Sequence, residues 1–378
     1  MRRLLAILCT GALTLSGASV AYAQANIDPS DIVTFPKAQV LRVLHQEVRE
    51  IPGTGTNTNA QTIEAQILSG PETGKVVTID NDFLTLNKGD VFYMRHEVYD
   101  AESINTYAVL APYRLPQLAL IVGLFLLCLF VFGGKQGIRG LVTLVGSLLC
   151  IGVVLVPGIL HGFSPLLLSA CVAGLIVVLG SYITHGFNRT TTAAVVGMLC
   201  TVLITGLLAY MFIHAARLTG FSNEEATYLN FNTGGLIDFQ GLLLGAMIIG
   251  FLGVLYDAAI SQAIAVEELF AVGKHLQKWD VYRRAQRIGR EHIGALVNTL
   301  AIAYVAVSMP LLLLVASSAQ NVWMTLNQEL FAEEIVRMMV GTIGIILAVP
   351  ITTVVAVYIR STWPPSKLPR HVHGHSHS

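Results

Sequence analysis

Gly250-Phe251-Leu252-Gly253-Val254-Leu255-Tyr256-Asp257-Ala258-Ala259-Ile260-Ser261-Gln262 lies inside an apolar run over residues 236–264. A helix needs about 20 apolar residues to cross the hydrocarbon core of a bilayer, so this run is long enough to span it. It also carries a carboxylate where a charge costs at least about 2.5–3.5 kcal/mol. Working outward, the same criterion places spans at 115–132, 140–160, 165–182, 192–213, 294–315 and 335–358. The fold class read from this pattern is an α-helical polytopic membrane bundle over 115–358, with about seven transmembrane helices. Composition agrees: 54% of the 378 residues are hydrophobic and 12% charged, against about 25% charged in a soluble domain. The 23 basic and 23 acidic residues cancel, so no bulk basic surface points to nucleic acid.

Residues 1–23 read as a cleaved signal peptide. Arg2 and Arg3 are followed by an apolar run and by Ala21-Tyr22-Ala23 before Gln24, the order of a secretory signal. An uncleaved anchor is the alternative and leaves the next domain on the same side. Cys9 sits inside the apolar run, and Cys128, Cys150, Cys171 and Cys200 all fall in apolar segments. The exported region therefore has no disulfide framework.

Residues 24–114 form a separate, polar, Thr-rich domain. Alternation over 38–48, 62–68, 75–79, 90–98 and 105–110 predicts five short strands. Turn clusters separate them: Pro52-Gly53-Thr54-Gly55-Thr56-Asn57, Ser69-Gly70-Pro71-Glu72-Thr73-Gly74 and Asn87-Lys88-Gly89-Asp90. The expectation is a small extracytoplasmic all-β domain, barrel or OB-like, able to bind an envelope protein partner among other ligands. Its acids Asp80, Asp82, Asp90, Asp100 and Glu102 read as solvated turn residues rather than ligands.

Charge fixes the expected orientation. Loops 133–139, 184–191, 265–293 and the tail from 359 hold Lys135, Arg139, Arg189, Lys274, Lys278, Arg283, Arg284, Arg287, Arg290, Arg360, Lys367 and Arg370. The opposite side holds Arg217 and, near a span end, Arg337, together with Glu224, Glu225, Glu329, Glu333 and Glu334. Positive residues collect inside, so the N-terminal domain is expected outside and the C-terminus in the cytoplasm.

Asp257, Ser261 and Glu268 stand at i, i+4 and i+11, one polar stripe on a helix. The next span runs the other way and carries Asn298, Thr299, Tyr304 and Ser308. Asp257 is expected about seven residues before its helix emerges, level with Asn298 near the start of the next span, so the two are expected to meet. One reading makes Asp257 a coupling carboxylate for a proton or cation, with Ser261 and Asn298 as partners and Tyr304 and Glu268 along the route. The other makes it a packing residue hydrogen-bonded to Asn298. Glu267 and Glu268 are expected to pair with Lys274 or Arg290 at the inner surface. Gly241, Gly245, Ala246, Gly250 and Gly253 give the same helix a smooth face for close contact. Asp238 and Gln240 read as a polar mouth or, preferably, Asp238 as a first-turn charge. Residues 265–293 alternate apolar and basic positions like an interfacial helix. His371, His373, His375 and His377 in the 359–378 tail offer a loose site for a divalent metal; no other cofactor is expected.

Gly253-Val254-Leu255-Tyr256-Asp257 with Ser261 and Glu268-Leu269, followed by Gly289-Arg290-Glu291-His292-Ile293-Gly294 and Asn298-Thr299-Leu300-Ala301-Ile302-Ala303-Tyr304, resembles the YibE/F family of bacterial multi-span membrane proteins. The resemblance extends to the β domain ending in Tyr113-Arg114, the loop Gly133-Gly134-Lys135-Gln136-Gly137, Pro157 and Gly162. It implies residence in the bacterial cytoplasmic (inner) membrane and focuses attention on Asp257 and Asn298. It names no cargo, and the histidine tail is outside its pattern. The leading expectation is a permease or exporter of a small solute or ion. The alternative is a non-transporting envelope assembly or signalling protein whose β domain binds a partner. The chain lacks G-x-S-x-G, H-E-x-x-H, a Walker loop and paired intramembrane aspartates, so it is not read as an enzyme.

Overall fold

The computed structural model describes residues 32–50, 55, 57–99, 104–273, 276–317 and 321–362. The expected signal peptide, Pro52 to Thr54 and Thr56 of the hairpin tip, Asp100, Glu102, Lys274 and the four tail histidines lie outside these residues. The described residues up to Gly134 form one compact unit and those from Lys135 another.

The first unit contains six antiparallel strands: β1 (Ile32–Thr34), β2 (Lys37–Glu50), β3 (Asn57–Ile67), β4 (Val76–Asn81), β5 (Val91–Tyr99) and β6 (Ile104–Pro112). Five coincide with the alternating segments. β1 carries too few residues to display a period, and it pairs its Thr34 with His96 of β5. β5 receives β1 and β2 on one edge and β6 on the other, while β3 and β4 extend the sheet beyond β2. Alternation puts Val40, Ile63, Ala65, Ile67, Phe92 and Met94 on the inner face, at most 1% exposed. Gln61 is buried among them; its amide donates to the Leu86 carbonyl at 3.1 Å and accepts from the Leu86 N–H at 2.8 Å. That pair holds the β4–β5 connection over the core.

The sheet's two edges, β4 and β6, run beside each other, and side chains bridge them. Tyr107 of β6 donates its hydroxyl to Glu72 at 2.8 Å, and Lys75 donates to Glu72 at 2.8 Å and to the Tyr107 hydroxyl at 2.9 Å. The buried His96 ring stacks on Tyr107 with centroids 4.7 Å apart. The Lys75 ammonium, then the Tyr107 hydroxyl, hold the Glu72 carboxyl below its ordinary value.

The second unit, with the helix that leads into it, is α-helical. α1 (Leu115–Leu149) continues through a π-helical turn (Cys150–Leu155) into α2 (Val156–Leu160); α1 is interrupted at Gly134, where φ is 50° and ψ −140°. α3 (Pro165–His185) ends at Gly186 with φ 79°, and Asn188 restarts the chain by accepting the Thr191 N–H at 2.7 Å. α4 (Arg189–Ala215), α5 (Glu224–Asn232), α6 (Phe239–Val272), α7 (Lys278–Val307), α8 (Met309–Ser317), α9 (Val322–Leu326) and α10 (Glu329–Thr362) follow. Among the described residues five helices are long and apolar enough to cross a membrane, or six if the bent pair α7 and α8 counts as one span. The bend is 61° and falls at Ser308, just before Pro310, whose ring cannot be accommodated by the preceding turn.

The segment 265–293, expected as an interfacial helix, is divided: residues 265–272 end α6, and 278–293 form the basic first half of α7, continuous with its apolar second half. Its period buries Val281, Ala285 and Gly289 on one side and leaves most of the arginines on the other. α6 packs against α3, α4, α7 and α10, with Leu244, Met247, Leu255 and Ile345 at most 2% exposed in the shared core.

α4 and α10 approach so closely that a Cβ on Gly197 would lie 2.8 Å from the Thr352 Cα, whereas one on Gly253 would meet nothing within 4 Å. Thermal unfolding in detergent should therefore show Gly197→Ala destabilised by roughly 1–3 kcal/mol. Gly253→Ala should be neutral or slightly stabilising.

In the β unit, Glu72 is more acidic folded than unfolded. Its stabilising contribution is therefore complete above the unfolded carboxylate range and lost as pH falls through the lower folded value. Amide exchange should show β6 protection falling over that acid interval. Glu72→Gln should have weaker β6 protection already at neutral pH and lose this acid step.

Candidate functional site

α6 is enclosed on nearly every side, and what it leaves open is narrow. Between Ala246 and Glu268 its exposed positions are Ala246, Gly250, Gly253, Asp257, Ser261, Ile264 and Glu268; every residue between them is buried or half-buried. Successive positions are three or four residues apart, so all seven project from one side of the helix. A helix side bathed only in lipid would be expected to carry large apolar residues. This one carries an alanine, two glycines, a serine and two acids, with Ile264 as its bulky member.

Helices stand on both sides of the strip. Towards α3, Tyr256 lies with its ring 6.1 Å from that of His185 and its hydroxyl against Ser181 and Thr184. Gly245 brings α3 closer still, since a Cβ there would lie 2.3 Å from the Ser169 hydroxyl. The small residues of α6 therefore serve two surfaces: Gly245 seats α3, whereas Ala246, Gly250 and Gly253 belong to the open strip. Towards α7, His292 is the charged-capable group that faces Asp257, and its buried Nε2 has no hydrogen-bond partner. The Tyr304 hydroxyl comes within 4.0 Å of the Cβ position of Gly250 and lies within electrostatic reach of Arg337 and Glu334 of α10.

The sequence-predicted residues divide accordingly. Asp257, Ser261 and Glu268 share the open strip, and Tyr304 stands beside it. Asn298 does not join them, and no hydrogen bond connects it to Asp257. The reason is rotational: at 100° per residue, Asn298 is turned about 160° from Leu300, the buried contact of α7, and about 120° from His292. Matching depth along antiparallel helices left azimuth undetermined, and His292 occupies the side Asn298 was expected to take. Glu267 pairs with Arg360 of α10 at 3.1 Å; of its two expected partners, Lys274 lies outside the described residues and Arg290 makes no ion pair with it. Asp238 is the N-cap of α6, accepting the Gly241 N–H at 3.0 Å, and Gln240 donates to the Leu218 carbonyl at 2.7 Å.

Gln262 is the polar residue whose role the sequence did not assign. Its amide is 3% exposed and donates to the Ala285 carbonyl at 2.9 Å and the Thr353 hydroxyl at 2.7 Å. One side chain thus joins α6, α7 and α10 directly behind the strip, where an unpaired amide would cost free energy. A glutamine in an apolar run was visible as an anomaly, but its partners lie 23 and 91 residues away. Among the described residues no group of three or more His, Cys, Asp or Glu is placed to hold a metal.

These features define a membrane protein built on long apolar helices, with an N-terminal antiparallel β unit and a small-residue, acidic strip on its most enclosed helix. The chain belongs to the YibE/F-like protein family, whose profile matches residues 121–362. The match covers the strip and its walls and begins inside α1, so the β unit lies outside it. No curated protein and no solved structure matches the chain.

If the strip is wet, its side chains react from water. In a background without native cysteines, Ser261→Cys should react with a small water-soluble thiol reagent at least about tenfold faster than Leu203→Cys, because thiolate forms only where water reaches the sulfur. Leu203 is 75% exposed on α4, so a similar rate at both positions would contradict a wet strip.

Proposed function

We propose that the protein is a permease or exporter of a small solute or ion in the bacterial cytoplasmic membrane, and that the open strip of α6 forms part of its path. The observation that carries this reading is Asp257 itself, an acid on the uncovered side of the most enclosed apolar helix, facing His292. An ionisable group in a membrane span is costly, and its usual company is water, a cargo or a charged partner. Asp257 would be the proton-exchanging group, with His292 on the α7 side, Ser261 and Glu268 continuing towards one end of the helix and Tyr304 standing towards the other. The small residues at 246, 250 and 253 leave room for a hydrated cation or small solute.

The topology we infer has seven spans. At about 1.5 Å per residue, the 46 residues from Leu115 to Leu160 would be more than twice as long as the roughly 30 Å hydrocarbon core. The non-helical Gly134 supports a division into two spans. Trp279 stacked on Tyr282, with the Arg283 guanidinium 5.7 Å from the Trp279 ring, supports an interfacial anchor at the basic end. Basic residues at that end favour a cytoplasmic location for it, which leaves the β unit outside as an adaptor for an envelope partner. Around the β unit the neighbours run β2, β3, β4, β6, β5 and back to β2, an order that supports an OB-like barrel.

A second reading is favoured by the same small residues: Ala246, Gly250 and Gly253 would also seat a partner helix in a non-transporting assembly protein. Reconstituted proteoliposomes separate the two. Under an imposed pH gradient, wild-type vesicles should carry a proton flux that Asp257→Asn lowers at least about tenfold, as expected when the proton-exchanging group is removed. Flux indistinguishable from empty vesicles in wild type, with a stoichiometric crosslinked partner at the strip, would replace transport by assembly.

A further inference from the structure

At the end of the bundle away from Arg189 and Arg360, the first turns of α10 carry Glu329, Glu333 and Glu334, with Arg337 one turn on. Two of the three acids are provided for. Glu329 accepts the Gly220 N–H at 2.9 Å, the Thr219 hydroxyl at 2.8 Å and the Thr219 N–H. Glu334 forms the ion pair with Arg337. Glu333 is different: it is 5% exposed, its Oε2 accepts the Ser222 hydroxyl at 2.7 Å, and its buried Oε1 has no hydrogen-bond partner. The charged groups that face it are Arg337, Glu329 and Glu334, all from its own helix. Arg337 is committed to Glu334, and the loop before α5 contributes the neutral Ser222.

We propose that Glu333 is a proton-binding site, occupied at neutral pH, that fastens the connection between α4 and α5 to α10. The argument is one of charge accounting. An ionised Glu333 would be a third carboxylate within one cluster, shut away from water and lacking a cation of its own. A buried unpaired charge is far more costly than a buried hydroxyl with one unsatisfied hydrogen bond. With a proton on Oε1, Oε2 remains the carbonyl acceptor for Ser222, which matches the contacts present. Loss of the proton would demand either water or Arg337, and each requires the clasp at Ser222 to open or the Glu334–Arg337 pair to part. Proton occupancy is thereby coupled to residues 217–223, a loop already held by Glu329 and turned by Arg217 at φ 53° and Gly220 at φ 83°. This site does not depend on the transport reading, since it involves neither Asp257 nor a cargo.

Infrared difference spectroscopy of the purified full-length protein reads it directly. The wild type minus Glu333→Gln spectrum at neutral pH should contain the carbonyl stretch of a protonated carboxylic acid, distinct from any band lost in Asp257→Asn. Ser222→Ala removes no carboxyl group, so it should retain that band at a shifted frequency; it tests the assignment even if Glu333→Gln does not fold. Raising the pH should lower the amide protection factors of residues 217–223, corrected for the intrinsic base-catalysed rate, in wild type but not in Glu333→Gln. A difference spectrum with carboxylate bands alone, whether or not they respond to sodium, would overturn the proposal. So would a carboxylic-acid band insensitive to both substitutions.

Discussion

In hydrocarbon a polar group has no solvent to fall back on, and the arrangement of this bundle follows from that constraint. α6 carries three kinds of polar side chain, and each meets the constraint differently. Gln262 is satisfied internally by Ala285 and Thr353. Tyr256 places its hydroxyl beside Ser181 and Thr184 of α3, buried but without a hydrogen-bond partner. Asp257, Ser261 and Glu268 are left on the one uncovered side. The hydrogen bonds of Gln262 stabilise helix packing. The third group makes sense only if something other than lipid meets it, and the function proposed for the chain rests on that step.

Glycines allow this division on a single helix. Gly245 lets α3 settle against α6, and Gly197 and Gly344 let α4 and α10 approach until side-chain atoms would clash with any Cβ. Close packing around three sides of α6 confines the opening to a strip one residue wide per turn. Gly253, with open space where its side chain would be, adjoins Asp257 one turn away. The same residue type thus seals one surface and keeps another clear, a distinction set by neighbours rather than by the glycine.

Periodicity made much of the architecture legible in the sequence. The long apolar runs, the change of composition near Arg114 and the alternating strands all carry repeats longer than the local noise, and the shared side of Asp257, Ser261 and Glu268 follows from helix geometry alone. What stayed hidden was azimuth and distant pairing. Helix periodicity turns Asn298 away from Leu300, the buried contact of α7. His292 looked unremarkable in a basic segment that appeared to end before the span began, because a continuous helix changes from amphipathic to apolar at that point. Arg360 reaches Glu267, and Ser222 reaches Glu333, across separations that no local pattern encodes. β1, three residues long, is too short to display a period.

The central claim is that water, not acyl chain, lies against Asp257. Solid-state NMR of the reconstituted protein tests it through magnetisation transfer to the Asp257 carboxyl carbon from water and from lipid methylenes. The account predicts rapid build-up from water and slow build-up from lipid at Asp257, with the opposite order at Leu203. Lipid-first transfer at both residues would contradict it.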